Sequence, residues 1–388
     1  MKKKIAILGS TGSIGKNLLK ILEKDKSNVE ILLLTANKNY NALFNQIKKY
    51  KVKNVIITNK SSYIKLVKKL KNRNINIFKD YSSFNLIFKK KIDYVMSSIS
   101  GIDGLIPTIE IIKYTNKIAI ANKETIICAW NLIKNELKKN KTFFIPVDSE
   151  HFSLWYALQN LPSDKIEKIY LTASGGPFLN LNKKKLNKIN ISQALKHPNW
   201  KMGKKISVDS STLMNKVFEV IEAKHIFELP YNKISILTHP SSYVHAIVKF
   251  SNGLIKIIAH DTTMQIPIFN TIFTDDKKNF FSNKIDITKL NTLNLKQVDV
   301  EQFPSIKIIR KLPEKISLYE SVIVNANDRL VNLFLKKKIK YNQIVSIMLK
   351  IINYEVFLKY KKITPKKIED IISVKNHVGY EINKLLKL

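Results

Sequence analysis

From Ile5 to Val147 short apolar runs alternate with lysine-rich amphipathic stretches, and this alternation limits the fold more than any other feature of the chain. Ile5–Leu8, Val29–Thr35, Val52–Thr58, Ile92–Ser97, Ile118–Ile120 and Phe143–Val147 read as buried strands. Ala42–Lys49, Tyr63–Leu70 and Thr125–Lys138 carry helical spacing between them. Strand and helix in alternation build a parallel sheet covered on both faces. Residues 1–147 are therefore expected to form a doubly wound, Rossmann-like α/β domain.

The pattern changes after Asp148. Two polar turns, Ser174-Gly175-Gly176-Pro177 and His197-Pro198-Asn199, flank a lysine-rich stretch, and a helix is expected from about Ser211 to Phe227. Ile234–Leu237, Tyr243–Phe250 and Leu254–Ala259 alternate like strands, with Ser251-Asn252-Gly253 as a hairpin turn. Residues 148–274 are expected to form a central α+β domain, 275–300 a polar linker, and 301–388 a C-terminal helical domain. A length of 388 residues suits two or three domains.

The formal charge of +37 raises nucleic acid as a partner. Only Arg73, Arg310 and Arg329 are arginines, however, and arginine is the residue suited to bidentate recognition of bases and phosphates. The lysines are spread evenly among many Asn and Ile residues, so the charge reads as a biased surface, with no specific nucleic-acid site. No apolar run approaches the roughly 20 residues that span a bilayer. The apolar segment after Lys2-Lys3-Lys4 is too short for a secretory signal, and the one cysteine, Cys128, excludes an intrachain disulfide. A cytoplasmic location is expected, with no membrane contact.

Gly9-Ser10-Thr11-Gly12-Ser13-Ile14-Gly15 follows the first strand directly and opens a helix. Small residues let a backbone approach a pyrophosphate, whose charge the helix N-terminus stabilises. The spacing is Gly-x-x-Gly-x-x-Gly, not the strict dinucleotide fingerprint, and the plain alternative is a tight turn with no ligand. The second strand ends Asn37-Lys38-Asn39 without the carboxylate that an NAD enzyme places on the ribose. Lys38 can instead meet a 2′-phosphate, which favours NADPH. A merely solvated lysine is the competing reading.

Val147-Asp148-Ser149-Glu150-His151 ends a predicted strand, and in extended chain Asp148 and Glu150 face one way, as suits a hard divalent cation. The string Asp209–Glu219 adds a third carboxylate. Asn215, Lys216 and Glu219 share a helix face, with Ser210 near the expected helix start, a plausible phosphate cradle beside Glu219. The plain alternative for Asp148 and Glu150 is a polar strand end, and for the helix group an N-cap with a surface Lys–Glu pair. Ala121–Thr125 follows the strand Ile118–Ile120, at the sheet edge where ligands bind in open α/β folds. His151 and His197 lie in motif contexts. His225 and His377 read as structural, and His239, His245 and His260 receive no role.

These strings together resemble the 1-deoxy-D-xylulose 5-phosphate reductoisomerases. The resemblance rests on Gly9–Gly15, Ala121–Thr125, Val147–His151, LTASGGPF at Leu171–Phe178, HPNWKMGKKISVDSSTLMNK at His197–Lys216, and Glu219. The long string is the most specific, and the likeness thins after about residue 275. It implies a homodimeric oxidoreductase that uses NADPH and Mg²⁺ or Mn²⁺. The reaction it implies is conversion of 1-deoxy-D-xylulose 5-phosphate to 2-C-methyl-D-erythritol 4-phosphate in non-mevalonate isoprenoid synthesis, by retro-aldol cleavage, recombination and reduction. Residues 1–147 would then bind NADPH and 148–274 would hold the metal and substrate.

By motif, the family's cofactor contacts fall on Thr11, Gly12, Ser13, Ile14, Asn122, Glu124 and Gly203, and its metal ligands on Asp148, Glu150 and Glu219. Lys123 and Ser149 meet the substrate's oxygenated carbons. Ser174, Ser210, Asn215 and Lys216 hold its phosphate, with His197 beside them. Trp200 lies on a loop, within about Ser174–Lys204, that closes over the site. Lys123, Glu150 and His197 are the expected catalytic groups. One departure is Asn37, where the family usually carries glycine. Two rivals stand beside this reading. A semialdehyde dehydrogenase would need a cysteine nucleophile, and Cys128 lies in an apolar helical pattern. A lysine-rich nucleic-acid binder leaves the carboxylates unexplained.

Overall fold

The computed structural model describes residues 2–71, 74–159, 161, 163–200, 202–274 and 278–387. Contacts divide the chain into two compact units. The first comprises the chain up to Thr125 with Ile133–Asp148 and Met264–Phe280, and the second Ile126–Leu132, Ser149–Thr263 and the chain from Phe281.

The first unit is built on a seven-stranded, all-parallel sheet. Its strands are β1 (Lys3–Leu8), β2 (Val29–Ala36), β3 (Asn54–Ile57), β4 (Asn76–Phe78), β5 (Ile92–Ser97), β6 (Thr115–Ile120) and β7 (Phe143–Pro146). The order is β4-β3-β2-β1-β5-β6-β7, so the chain winds outward from β1 and returns to start again at β5. This is the expected doubly wound sheet, and its topological switch lies between β1 and β5. The short strand β4 escapes the sequence pattern because it spans only three residues, none of them buried.

Helices α1 (Ser13–Glu23), α2 (Tyr40–Tyr50), α3 (Lys60–Leu70) and α4 (Lys123–Lys139) alternate with the strands. Helix α1 turns Leu18, Leu19, Ile21 and Leu22 toward Ile5, Ile7 and Leu34 of the sheet and leaves Lys16 and Lys20 exposed. Each such buried aliphatic side chain contributes about 1.5–3 kcal/mol. Cys128 in α4 is fully buried, as its apolar context implies.

One expected boundary moves. The helix Gln265–Ile272 belongs to the first unit, because Ile268, Ile272 and Phe273 join the same apolar core and the Tyr94 hydroxyl bonds the Thr271 hydroxyl at 2.8 Å. The stretch 275–300 also carries structure: Asp286 caps a short helix, Ile287–Asn291, and Lys296–Gln297 forms an edge strand. Residues 275–277 lie outside the described residues.

The second unit carries a mixed five-stranded sheet of β8 (Ile166–Ala173), β9 (Ile234–Thr238), β10 (Val244–Phe250), β11 (Ile255–Ala259) and β12 (Lys296–Gln297), in the order β11-β10-β8-β9-β12. Only β8 and β9 run parallel. The hairpin between β10 and β11 turns at Gly253, whose φ of +85° suits glycine. Helix α5 (Ser149–Ala157) follows β7 directly. The helix expected from about Ser211 to Phe227 is α7 (Met214–Phe227), starting three residues later, and a separate helix, α6 (Lys204–Ser211), precedes it, with the break at Leu213, φ 55°. The C-terminal part is helical as expected, with α8 (Leu318–Leu335), α9 (Tyr341–Ile351) and α10 (Ile368–Leu386). Among the described residues no helix is long and apolar enough to cross a membrane.

Helix α8 starts with a reciprocal cap, in which the Glu320 carboxylate accepts from the Ser317 amide at 3.1 Å and its hydroxyl at 2.6 Å. Burial pushes the Glu320 carboxyl up to about 7 despite these bonds. Below the unfolded value near 4.5 both states hold the proton and there is no penalty. As pH rises toward 7 the unfolded chain ionises while the folded chain does not, so stability falls, and above 7 the loss is constant. Glu320→Gln keeps the cap and removes the charge. It is expected to raise the melting midpoint at pH 8, for a gain of about 2 kcal/mol, with most of that gain gone at pH 5. Thermal melts at the two pH values measure it.

Candidate active site

In the first unit the loop after β1 is shaped by backbone contact. Gly9 has φ +83°, and a Cβ there would lie 2.8 Å from the Ser98 carbonyl oxygen. A Cβ on Gly15 would lie 2.6 Å from the Gly9 carbonyl oxygen, so two of the three glycines are required by packing alone. The Ser10 hydroxyl donates to Gln46 Oε1 at 2.7 Å and is buried. Thr11, Gly12, Ser13 and Ile14 are at least partly exposed, and Gly12 begins α1 without a side-chain cap. The first amides of α1 are therefore presented where a pyrophosphate can lie, so the loop fits a dinucleotide.

At the end of β2, Asn39 caps α2 by accepting from the Ala42 amide at 3.1 Å, and Asn37 donates to the Thr58 hydroxyl at 2.7 Å. Both side chains are thus engaged locally, while Lys38 is exposed beside them. Asn122 is committed more fully. Its amide group donates to the carbonyls of Ile99 and Gly101, and its oxygen caps α4 by accepting from the Thr125 amide at 2.9 Å. It therefore pins the loop after β5 to the loop after β6. Lys123, first residue of α4, pairs with Asp148 at 2.6 Å, and Glu124 is buried next to it.

In the second unit the first turn of α5 carries Glu150, and α7 carries Asn215, Lys216 and Glu219. Glu150 and Glu219 present carboxylate oxygens within 4.8 Å of each other. The Lys216 ammonium donates to Glu150 Oε1 at 2.7 Å and to Glu219 Oε2, and the Asn215 amide donates to Glu219 Oε1. The Ser149 hydroxyl donates to Glu150 at 2.5 Å. Burial raises the Glu150 carboxyl, but the Lys216 ammonium and the neighbouring His245 outweigh it and hold the group well below the usual carboxylate range. Burial likewise lowers Lys216, and its two carboxylates more than compensate, so it stays charged. Closely spaced carboxylate oxygens are the donor set that Mg²⁺ and Mn²⁺ favour, so these residues fit such an ion.

Three sequence expectations change here. The strand β7 ends at Pro146 and α5 starts at Ser149, so Glu150 is helical and strand alternation does not aim it with Asp148. Ser210 lies in the last turn of α6, and the helix start beside the expected phosphate group belongs to α7, where Asn215 and Lys216 fall in the first turn. His151, given no function, bridges the two carboxylate-bearing helices: its Nε2 bonds the Glu219 carbonyl oxygen at 2.9 Å, and Nδ1 lies 3.5 Å from buried Glu222.

Ser174 and His197 form a linked pair with a defined proton arrangement. The amides of Asn199 and Trp200 both donate to His197 Nδ1, at 3.1 and 3.0 Å. Nδ1 is therefore the bare nitrogen, and Nε2–H donates to the Ser174 hydroxyl oxygen at 3.0 Å. That oxygen also accepts from the Gly176 amide at 3.1 Å, which leaves the Ser174 proton to donate elsewhere. Burial pushes His197 down to about 4, so it is neutral at neutral pH. Gly176 brings this turn against α6: its φ is +64°, and a Cβ there would lie 3.0 Å from the Ser210 carbonyl oxygen.

The loop beyond His197 rests on β10 and the turn before it. Asn199 donates to the Pro240 carbonyl at 2.6 Å and the Ser242 hydroxyl at 2.9 Å. Trp200 meets His245 edge-on, with ring centres 6.3 Å apart, and His245 stacks on His260 at 3.6 Å. Burial pushes His245 down to about 3. Gly203 starts α6 with open space where a Cβ would lie, and Lys201 between them is outside the described residues. Sequence reasoning missed Asn199, His245 and His260. The register shift between Val244 and Ala246 breaks the alternation at His245, and His260 lies just past β11, so strand spacing does not signal that the two rings stack.

Comparison with known proteins bears on both units. Residues 5–130 match the sequence model of the family described as 1-deoxy-D-xylulose 5-phosphate reductoisomerase. Residues 144–227 match its C-terminal domain, and 261–379 match a further DXP reductoisomerase C-terminal domain. The chain is 55% identical over 385 residues to the 1-deoxy-D-xylulose 5-phosphate reductoisomerase of Pelagibacter ubique, covering 99% of each chain. It is 38% identical to the Wolbachia pipientis protein of the same name over 389 residues, 99% of this chain and 98% of that one. The Zymomonas mobilis reductoisomerase in complex with NADPH superposes with a TM-score of 0.87 at 29% identity, covering 100% of this chain and 99% of that one. A DOX-P reductoisomerase structure with NADPH, fosmidomycin and magnesium gives a TM-score of 0.91 at 27% identity, covering 100% and 98%.

Proposed function

The chain belongs to the 1-deoxy-D-xylulose 5-phosphate reductoisomerase family, and on that premise we propose which of its residues carry the reaction. The protein is an NADPH-dependent oxidoreductase that converts 1-deoxy-D-xylulose 5-phosphate to 2-C-methyl-D-erythritol 4-phosphate with a divalent cation, in isoprenoid precursor synthesis. The observation that carries the residue assignment is the half-buried Glu150 and the buried Glu219, joined by the buried Lys216.

Asp148, Glu150 and Glu219 hold Mg²⁺, and Mn²⁺, with the same taste for oxygen ligands, serves in its place. Bound in the site, the cation supplies Lewis acidity toward the substrate's ketone and hydroxyl oxygens, and NADPH supplies the hydride. Lys123 and Ser149 contact the oxygenated carbons. Ser174 donates its remaining proton to the phosphate, together with Ser210, Asn215 and Lys216. His197 is neutral and holds Ser174 in that orientation. This grip on a non-reacting group supplies binding energy that keeps the fragments aligned for rejoining. Trp200 covers the substrate from a mobile segment at about Ser174–Lys204, which limits access of water.

For the cofactor, the amides of Thr11, Gly12, Ser13 and Ile14 take the pyrophosphate, with Glu124 and Gly203 as further contacts. Asn122 contributes through its backbone, since its side chain is engaged in the two loops. With Asn37 and Asn39 tied to their own neighbours, the 2′-phosphate falls to Lys38. Lys38→Ala is expected to raise KM for NADPH about tenfold and to leave that for NADH unchanged; steady-state kinetics with both cofactors decide it.

We further propose a homodimer in the cytoplasm. Leu254, Ile255 and Ile257 are exposed apolar side chains on or beside the edge strand β11, a face that a second copy would cover. The functional reading is tested by mass spectrometry of the product formed from 1-deoxy-D-xylulose 5-phosphate, NADPH and Mg²⁺. A phosphate ester two hydrogens heavier is expected. Unchanged substrate would refute the reading.

A further inference from the structure

The turn that joins α6 to α7 is held from the C-terminal helical part at three points. Asn327 of α8 donates to Asp209 Oδ1 at 2.7 Å. The Tyr341 hydroxyl, at the start of α9, donates to the Ser211 carbonyl at 2.8 Å. The Ser305 hydroxyl donates to the Thr212 carbonyl at 2.6 Å. Lys205 ties the same corner together, pairing with Asp209 at 3.1 Å and with Asp328 of α8 at 2.9 Å. Asp209, Ser211, Thr212, Ser305, Asn327 and Tyr341 are all buried.

This turn needs outside support. Leu213 sits in the left-handed region at φ 55°, which is costly for a leucine. The two carbonyls just before it, at a helix break, have to find partners outside the helix, and Tyr341 and Ser305 supply them. The residues on either side of the break are Ser210 before it and Asn215 and Lys216 after it. Their relative placement is therefore set by the angle between α6 and α7, which these three bonds fix.

We propose that Ser305, Asn327 and Tyr341 are positioning residues for phosphate recognition: the C-terminal helices act as the frame that sets the α6–α7 turn and so aims Ser210, Asn215 and Lys216 at one ligand. This rests on the reading that those three residues bind the substrate phosphate. None of these three bonds is made to Asp148, Glu150, Glu219 or the glycine loop, so loss of the frame is expected to appear first in phosphate affinity and far less in the chemical step.

Tyr341→Phe removes one hydroxyl and keeps the ring packed against Phe178 and Phe334. In the full-length protein with NADPH and Mg²⁺, it is expected to raise KM for 1-deoxy-D-xylulose 5-phosphate about tenfold. The dissociation constant of fosmidomycin should rise in parallel, with kcat and KM for NADPH within about twofold of wild type. Asn327→Leu should act in the same direction, and the exchange Asp209→Asn with Asn327→Asp should restore the lost affinity by rebuilding the bond with donor and acceptor reversed. A purely structural role would lower the melting midpoint and leave KM unchanged, which overturns the proposal. Ser210→Ala is the control. If it raises KM while Tyr341→Phe does not, the frame is wrong and the phosphate reading stands; if neither variant changes KM, the phosphate reading itself fails.

Discussion

Glu150→Gln is expected to lower turnover with saturating Mg²⁺ by about a thousandfold or more while leaving the dissociation constant for NADPH unchanged. The substitution keeps the shape of the side chain and its bond from the Ser149 hydroxyl. It removes one of two closely spaced charges and turns an N–H group toward either Lys216 or the cation. Metal affinity should fall together with turnover, by about ten- to a hundredfold as measured by Mn²⁺ titration. NADPH binding depends on the glycine loop of the other unit, so intrinsic cofactor fluorescence reports an unaltered site. Normal turnover in this variant would remove Glu150 from the metal site and the mechanism with it.

The second large effect is expected at Lys216. Its ammonium is buried between Glu150 and Glu219, and replacing it by methionine leaves two carboxylates facing each other with no cation of the chain between them. Removing one partner of a buried ion pair costs about 3–5 kcal/mol, which for a protein of this size lowers the melting midpoint by roughly 4–6 °C. In chelator the full loss should appear. Mg²⁺ should recover more stability in Lys216→Met than it adds to the wild type, because a divalent cation then supplies the missing compensation. KM for the phosphosugar should also rise by about a hundredfold. Equal stabilisation of both proteins by Mg²⁺ would show that Lys216 and the cation do not share these carboxylates.

The sheet of the first unit was legible in the sequence because parallel strands buried on both faces read as unbroken apolar runs, as at Ile5–Leu8. Strand β8 was harder to see. It lies in the interior of a mixed sheet, but Glu167 and Lys168 interrupt its apolar pattern. The break at Leu213 had no local signal at all, since leucine favours a helix and the turn is imposed by Ser305, Tyr341 and Asn327 from far along the chain. Helix α5 was misread as strand end for a different reason. Asp148-Ser149 is helix-start chemistry, and the apolar run before it hid that cue.

Much of the candidate site lies within strings whose chemistry can be read directly: the glycine loop, Val147–His151 and Asp209–Glu219. The pairing of Glu150 with Lys216 and Glu219 spans 66 or more residues and is set by the packing of α5 against α7, which no spacing rule reports. The polar residues of the buried helix α8 were a signal that went unused. Asn325 and Asn327 sit among Val322, Ile323, Val324 and Ala326, and a buried amide in such a helix needs a partner. Asn327 finds it in Asp209.

The central claim is that this chain reduces a phosphosugar with NADPH only when a divalent cation occupies its carboxylates. The most direct measurement follows NADPH absorbance in chelator-treated protein mixed with 1-deoxy-D-xylulose 5-phosphate, before and after Mg²⁺ is added. No oxidation before the addition is predicted, and afterwards one NADPH consumed for each 2-C-methyl-D-erythritol 4-phosphate formed. Full activity in chelator, or none after Mg²⁺ is restored, would contradict the account.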